Sequence, residues 1–484
     1  MMILDKRICD RARLAKDPRF DGLFFIGVMS TGIYCRPICP APSAKSENIV
    51  YFPTAAAAAE AGLRPCLRCR PEASPGSPAW NGTSATVSRA VMLIRQGALN
   101  DGNMEDLALK LGVGSRHLRR LFQTHIGVSP LALAATQKIL FAKKLLNETQ
   151  MPISQIAFAS GFGSIRRFNA AFRKLYGQTP SAFRHPVRGE RRRGPALYRC
   201  ELTLTYRPPF DWQRMLAFYR SRAIPGVEYI ENGVYHRTIR IDATTGTLSV
   251  GLAEEENALL LTAALSDSGD LMPLVERVRR MFDLDANMTA VHTVLAEDAV
   301  LEKVIRQQPG LRLPGAWDPF EVAVRAVAGQ QVSVKGARTI LGRIAVKAGS
   351  PADFPGQPAL TRFFPTPLEL ERCELGRIGM PEKRVSTIKS LSQAVASGSM
   401  SLQVSASLET FIKQLTGISG IGDWTAQYIA MRALGEPDAF PAGDLGIIKA
   451  LQQGEERPTR KQILARAENW RPWRSYAAIY LWHA

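Results

Sequence analysis

No apolar run in this chain of 484 residues is long enough to span a bilayer, which excludes a helical membrane protein. The opening residues, Met1-Met-Ile-Leu-Asp-Lys-Arg7, lack the apolar stretch of a secretory leader, so a cytosolic location is expected. Acidic side chains are in short supply. Against 62 Lys and Arg stand 43 Asp and Glu, a formal net charge of +19. A surplus that large favours a polyanion as partner, through release of its counterions. With 46% hydrophobic residues the chain can build well-buried cores, and its length allows three or four domains.

Cysteine is sparse, seven in all, and unevenly placed. Cys9, Cys200 and Cys373 stand alone and read as small buried hydrophobes. The other four form two close pairs, Cys35-x3-Cys39 and Cys66-x2-Cys69. In a reducing compartment such pairs suggest metal rather than disulfides, and four soft ligands suit a tetrahedral Zn²⁺. Their surroundings, Thr31-Gly-Ile-Tyr-Cys35-Arg-Pro-Ile-Cys39 and Leu63-Arg-Pro-Cys66-Leu-Arg-Cys69, resemble the N-terminal domain of the Ada family. That resemblance implies a Zn²⁺ held by Cys35, Cys39, Cys66 and Cys69, with Cys35 as acceptor of a methyl group from a DNA methyl phosphotriester. Loss of one negative charge at sulfur would then tighten DNA binding. Arg36, Arg64, Arg68 and Arg70 are candidate phosphate contacts, and the resemblance favours Arg64 and Thr31. After Cys39 the chain reads Pro-Ala-Pro-Ser-Ala-Lys45, without the arginine the family pattern leads one to expect. Pro71 to Pro78 reads as a linker.

An internal repeat with a period of about fifty residues follows. Leu107 to Ser115 precedes a helical pattern with Leu118, Leu121 and Phe122; Ile156 to Ser164 precedes one with Phe168, Ala171 and Phe172. Each unit reads as a helix ending at a glycine, then a serine N-cap opening the next helix. The outward faces are basic: Arg116, Arg119 and Arg120 in the first, Arg166, Arg167, Asn169 and Arg173 in the second. With the closing Tyr176-Gly177 to Arg184, the pattern resembles the AraC-type double helix-turn-helix domain. Arg and Asn are suited to base edges in the major groove. The basic run Arg184 to Pro195 reads as a solvated linker.

Beyond it, Cys200 to Tyr206, Val234 to Ile241, Leu248 to Gly251 and Leu259 to Ala264 read as strands, and Asp211 to Arg222 as a helix. From Met281 onward helical patterns dominate. Leu408, Phe411, Ile412 and Leu415 recur at helical spacing; Gly417, Gly420 and Gly422 break the pattern and permit angles forbidden to side chains. Asp423 sits where an N-cap belongs, the next helix carries Trp424, Tyr428 and Ile429, and Gly435 is a stop. Amides of such a turn can bind a phosphate. Asp444 follows. From Leu197 to Ala484 the chain resembles the AlkA-type 3-methyladenine DNA glycosylases of the helix-hairpin-helix superfamily.

The resemblance implies a catalytic Asp444, an aromatic base pocket of Trp424, Tyr428 and Trp482, and a DNA-facing turn at Gln330, with Gln331 as wedge in the emptied stack. It adds the hairpin glycines as backbone contacts. Cationic alkylpurines would stack on the aromatics with about 0.5–2 kcal/mol of cation–π attraction. Bifunctional relatives place a lysine where Trp424 stands; tryptophan forms no Schiff base, so a monofunctional glycosylase is expected. No cysteine follows Trp482, so no iron–sulfur loop is expected, and no Pro-Cys-His-Arg motif predicts an O6-methylguanine activity.

The fold class expected is multidomain, mainly α with α+β parts. It comprises a small zinc α/β domain at 1–75, an all-α double helix-turn-helix domain at 85–185, a small α/β domain at 196–280 and an all-α helix-hairpin-helix domain at 281–484. Double-stranded DNA, both alkylated and promoter DNA, is the expected partner of an expected monomer. RNA polymerase is a further candidate partner. The competing reading is a transcription regulator whose C-terminal half is only a DNA-binding scaffold.

Overall fold

A computed structural model describes residues 5–69, 71, 74, 85–100, 102–184, 197–253, 256–403, 407–452 and 455–484. The expected linkers lie almost wholly outside these residues, as does Arg70. The chain forms two compact units. One comprises Met1–Pro208, Ala253–Arg279 and Leu284–Asn287; the other comprises Pro209–Leu252, Arg280–Asp283 and Met288–Ala484. No helix of the described residues is long and apolar enough to cross a membrane.

The first unit opens with a four-stranded sheet in the order Ile49–Phe52, Phe25–Val28, Ile33–Cys35, Arg64–Pro65. The first three strands pair antiparallel and the last is parallel to Ile33–Cys35. Alternation along Phe25–Val28 serves both faces. Ile26 packs with Cys9, Ala12, Phe24 and Ile49, while Phe25 packs with Tyr34, Ala55, Ala58 and Leu63. The repeat then folds as two helix pairs, Met104–Lys110 with Ser115–His125 and Ile153–Ala159 with Ile165–Tyr176, separated by the helix Pro130–Glu148. Leu118, Phe122, Phe168 and Phe172 are fully buried, as the helical period requires. Ser164 is the N-cap of its helix, its hydroxyl accepting from Arg167 N at 3.2 Å. Ser115 is not: Gly114 is the N-cap, without a side-chain bond, and Ser115 lies inside the first turn. Strands Tyr198–Thr205 and Ala258–Leu265 pair antiparallel in the same unit.

The antiparallel meander Glu228–Glu231, Val234–Ile241 and Thr244–Ala253 belongs to the second unit as far as Leu252. Its first strand was not anticipated. The signal was the Asn232-Gly233 turn, both residues at positive φ, a two-residue hairpin connection. Helices dominate the rest of the second unit's described residues. The helix-hairpin-helix forms as Leu408–Thr416 and Asp423–Ile429, with Phe411, Leu415, Ala426 and Ile429 buried. Of the three hairpin glycines only Gly420 has a positive φ, +90°, and a Cβ there would meet Thr387 Oγ1 at 2.0 Å. Gly417 and Gly422 have ordinary angles. Asp423 is not the cap: Gly422 holds that position, and Asp423 in the first turn pairs with Arg460 at 2.6 Å. Gly435 ends the segment in the left-handed conformation, after a π-turn over Ala430–Leu434.

Candidate active site and candidate metal centre

Asp444 sits at the N-terminus of the helix Leu445–Ala450 and caps it. Its Oδ1 accepts from Gly446 N at 2.8 Å and Ile447 N at 3.3 Å, satisfying amides that have no partner within the helix. Two tryptophans complete its surroundings. The Trp482 indole N–H donates to Oδ1 at 2.9 Å, and that of Trp424 donates to Oδ2 at 3.1 Å. Gly446 makes this approach possible, since a Cβ there would meet the Trp482 ring at 2.9 Å. The half-buried carboxylate is thereby held at both oxygens.

The same tryptophans line a cleft of about 1310 Å³. Trp424 stacks on Tyr428 at 5.5 Å between ring centroids and 13° between planes, and Tyr428 lies 6.4 Å from Trp482. Residues separated by 58 positions thus share one wall. Tyr428 Oη accepts from Arg432 Nη1 at 2.7 Å. A flat slot with a fixed carboxylate at its edge can hold a planar ring and stabilise positive charge developing beside it.

In the first unit, the sulfurs of Cys35, Cys39, Cys66 and Cys69 lie within 4.8 Å of one another. The parallel strand pair brings them together: Arg64 N donates to Gly32 O and Cys66 N to Tyr34 O. Hydrogen bonds with Cys39, Cys66 and Cys69 push the Cys35 thiol far up, while that with Cys35 draws Cys39 down to about 7. Four thiols so close cannot all ionise without a counter-cation, and their donor set fits a four-coordinate soft divalent metal. Arg36 is built into this centre. Its backbone N–H donates to Cys69 Sγ at 3.3 Å, and its guanidinium pairs with buried Asp21.

Three family descriptions match: "Metal binding domain of Ada" over residues 8–72, "Helix-turn-helix domain" over 107–185 and "AlkA N-terminal domain" over 201–318. The "Probable bifunctional transcriptional activator/DNA repair enzyme AlkA" of Mycobacterium tuberculosis is 40% identical, across 98% of this chain and 95% of that one. The chain belongs to this family of bifunctional activators and repair enzymes. The DNA-3-methyladenine glycosylase 2 of Escherichia coli is 34% identical over 58% of this chain and 96% of its own length. The solved 3-methyladenine DNA-glycosylase of Archaeoglobus fulgidus shares the fold, with a TM-score of 0.50 at 19% identity, covering 58% of this chain and 96% of that one.

For this family member, the sequence-predicted aromatics and Asp444 come together, as do the four cysteines. Other predicted residues are placed differently from expectation. Gln330 turns inward, its Nε2 donating to Gly420 O at 2.9 Å and Thr425 Oγ1 at 3.1 Å, so it ties its turn to the hairpin. Gln331 is exposed with φ of +54°, at the mouth of the cleft. The Gly417 amide is taken up by Lys413 O and Gln414 O, whereas those of Gly420 and Gly422 make no hydrogen bond among the described residues. Arg36 is buried in its ion pair and is not presented to solvent; Thr31, Arg64 and Arg68 are exposed. Arg116, Arg119, Arg120, Arg166, Arg167 and Arg173 all stand exposed on the second helices of their pairs, with Asn169 half-buried. Cys9 and Cys200 are buried as expected, but Cys373 only partly.

Sequence reasoning missed Arg222 and Arg432 on the cleft wall. Arg432 had a signal, four residues after Tyr428 and so on the same helical face. Arg222 had none, because its place in the cleft depends on a contact across about two hundred residues of chain.

Proposed function

We propose that the chain is a monofunctional DNA glycosylase for alkylated purines, 3-methyladenine and 7-methylguanine, joined to a methyl phosphotriester acceptor that regulates transcription. The observation that carries the glycosylase reading is the grip of two indole N–H groups on the two oxygens of Asp444, with the donors' own rings forming the cleft wall. A base swung out of the duplex enters the slot between Trp424, Tyr428 and Trp482. As the C1′–N bond lengthens, its electron pair goes to the base and positive charge grows on the deoxyribose. Asp444 stabilises that charge and orients the water that adds at C1′, as carboxylates do in glycoside hydrolysis. Trp424 offers no amine to the sugar, so the product is an abasic site on an uncut strand. Exposed Gln331 fills the emptied stack, and the amides of Gly420 and Gly422 hold a phosphate.

In the N-terminal region, Cys35, Cys39, Cys66 and Cys69 would hold Zn²⁺. When bound it keeps their sulfurs as thiolates at neutral pH. Cys35 Sγ attacks the methyl carbon of the neutral phosphotriester; the C–O bond breaks and its pair stays on the phosphate. The products are a thioether and an ordinary phosphodiester, once per molecule. Thr31 and Arg64 steady the DNA strand, and the exposed arginines of the two helix pairs read or grip the promoter. The bounds 1–75, 85–185, 196–280 and 281–484 are the proposed division of labour.

The test of the glycosylase is release of 3-methyladenine from alkylated duplex by wild type and Asp444→Asn. Release by wild type only, with strands intact until alkali, is expected. No release by wild type would make the C-terminal region a scaffold and leave a regulator alone.

A further inference from the structure

The cysteine centre is fastened to the rest of its unit by a chain of buried charged groups. Arg36 is the first link. Its backbone N–H donates to Cys69 Sγ at 3.3 Å, and its Nη1 donates to Cys69 O at 3.0 Å. Its guanidinium also grips the Asp21 carboxylate, Nε donating to Oδ1 at 2.9 Å. Asp21 is held from its other end as well. Arg207 Nε, 186 positions along the chain, donates to the Asp21 carbonyl at 2.7 Å. Arg207 is 1% exposed, and its Nη1 donates to Asp285 O at 2.7 Å. The Asp285 carboxylate in turn accepts from Arg95 Nη1 at 2.9 Å and Arg279 Nε at 3.2 Å. Arg95 is the last residue of the helix Ala85–Arg95, which precedes the two helix pairs. All of these residues lie in the first unit.

A guanidinium is costly to bury unless its N–H groups and its charge are matched, so each link here depends on the next. Burial opposes ionisation of Asp285, yet Arg279 and Arg95 hold its carboxyl well below the usual range. The node at Asp285 therefore stays charged at neutral pH. The first link depends on the centre. A hydrogen bond to an ionised acceptor is about twice as strong as one to a neutral acceptor, and a bound metal keeps Cys69 as thiolate. The far end has room to respond. A pocket of about 190 Å³ is lined by Gly22, Arg95, Thr205 and Arg279, so packing alone does not lock the node.

We propose that Arg207 is a positioning residue of the cysteine centre, and that Arg36, Asp21, Arg207 and Asp285 couple metal retention by the four cysteines to the seating of the helix Ala85–Arg95. Coupling of this kind is reciprocal. A loaded centre tightens the helix, and an intact node slows escape of the metal. The helix pairs thus sense the centre through folded contacts as well as through charge. This rests on the reading that the four cysteines hold Zn²⁺, and adds to it a control supplied from far outside the metal-binding segment.

The test uses the full chain loaded with Zn²⁺. Release of the metal to an excess of chromogenic chelator is timed for wild type, Arg207→Met, Arg207→Lys, Arg95→Met and the double Met variant. Release should quicken about tenfold in Arg207→Met and about threefold in Arg95→Met, with Arg207→Lys between wild type and Arg207→Met. The double variant should release no faster than Arg207→Met, because both cuts break one chain. Hydrogen exchange supplies a second readout. Stripping the metal from wild type should speed exchange of Ala85–Arg95 by about tenfold, and in Arg207→Met that response should vanish. Unchanged release in the single Met variants, or effects that multiply in the double variant, overturns the proposal. So does a helix that ignores the metal in wild type, or still answers to it in Arg207→Met. If Arg207→Met does not fold, Arg95→Met and the wild-type exchange decide alone. A wild type that takes up no Zn²⁺ overturns the metal reading and the proposal together, whereas a loaded wild type whose helix does not respond overturns the proposal only.

Discussion

The cysteine centre and the aspartate cleft reach readiness by different routes. Four cysteines converge from two short segments, Cys35 to Cys39 and Cys66 to Cys69, whose sulfurs crowd within 4.8 Å. That arrangement is unstable by itself, since like groups compete for ionisation, and it calls for a metal to settle it. The aspartate cleft needs nothing added. Asp444 is oriented by helix amides on one side and indole N–H groups on the other, all supplied by the fold. One centre is organised by what it binds and the other by what surrounds it, so they should fail differently.

The largest effect expected is for Asp444→Asn. An amide can still cap the helix through its oxygen, but its NH2 would face an indole N–H, donor against donor. Base release should fall by about 10²–10³-fold with the melting temperature nearly kept, measured by single-turnover release and calorimetry. If melting collapses as well, Asp444 is as structural as a metal ligand and the contrast is lost.

The cysteine centre should show the reverse pairing of effects. Cys66→Ser, or chelation, should lower metal content from about one per chain and destabilise the N-terminal sheet by several kcal/mol, read by metal analysis and proteolysis. Glycosylase activity should persist. If stripping the metal also stops base release, the two centres are not independent.

Trp482→Phe sharpens the picture at intermediate size. It keeps a ring in the cleft but removes the donor to Asp444 Oδ1. A lost hydrogen bond to a charged group is worth about 1.5–3 kcal/mol, so release should slow by roughly 10- to 100-fold. A smaller loss would mean the helix amides alone orient the carboxylate.

Acid should separate the regions most gently. His292 donates to or accepts from Tyr480 at 2.8 Å, and burial, aided by Arg312, pushes its pKa down from 6.5 to about 4. The unfolded chain therefore binds a proton that the folded one refuses. This contribution is fully present above pH 6.5 and is lost as pH falls toward 4, on the order of 3 kcal/mol. His292→Gln should flatten the pH dependence of stability of the second unit over that window, as chemical denaturation would show.

Legibility differed between the centres for a physical reason. The metal spacing is local: Cys35-x3-Cys39 and Cys66-x2-Cys69 are each visible in a few residues. In the repeat, Leu118, Phe122, Phe168 and Phe172 were readable as core from period alone. Cap positions were less secure. Serine and aspartate suit both the cap and the first turn, and Gly114 and Gly422 took the cap where the chain entered the helix extended.

By itself the sequence determined the basic charge, the two close cysteine pairs, the helix pairs and the aspartate after a glycine hairpin, because each is written in composition or short spacing. Only the tertiary structure decided that Trp482 shares Asp444 with Trp424, that Gln330 is tied to the hairpin, that Arg36 is buried against Asp21, and that Arg222 joins Arg432 in the cleft. Those contacts join residues far apart along the chain, and no local pattern encodes which distant side chains a packed core will bring face to face.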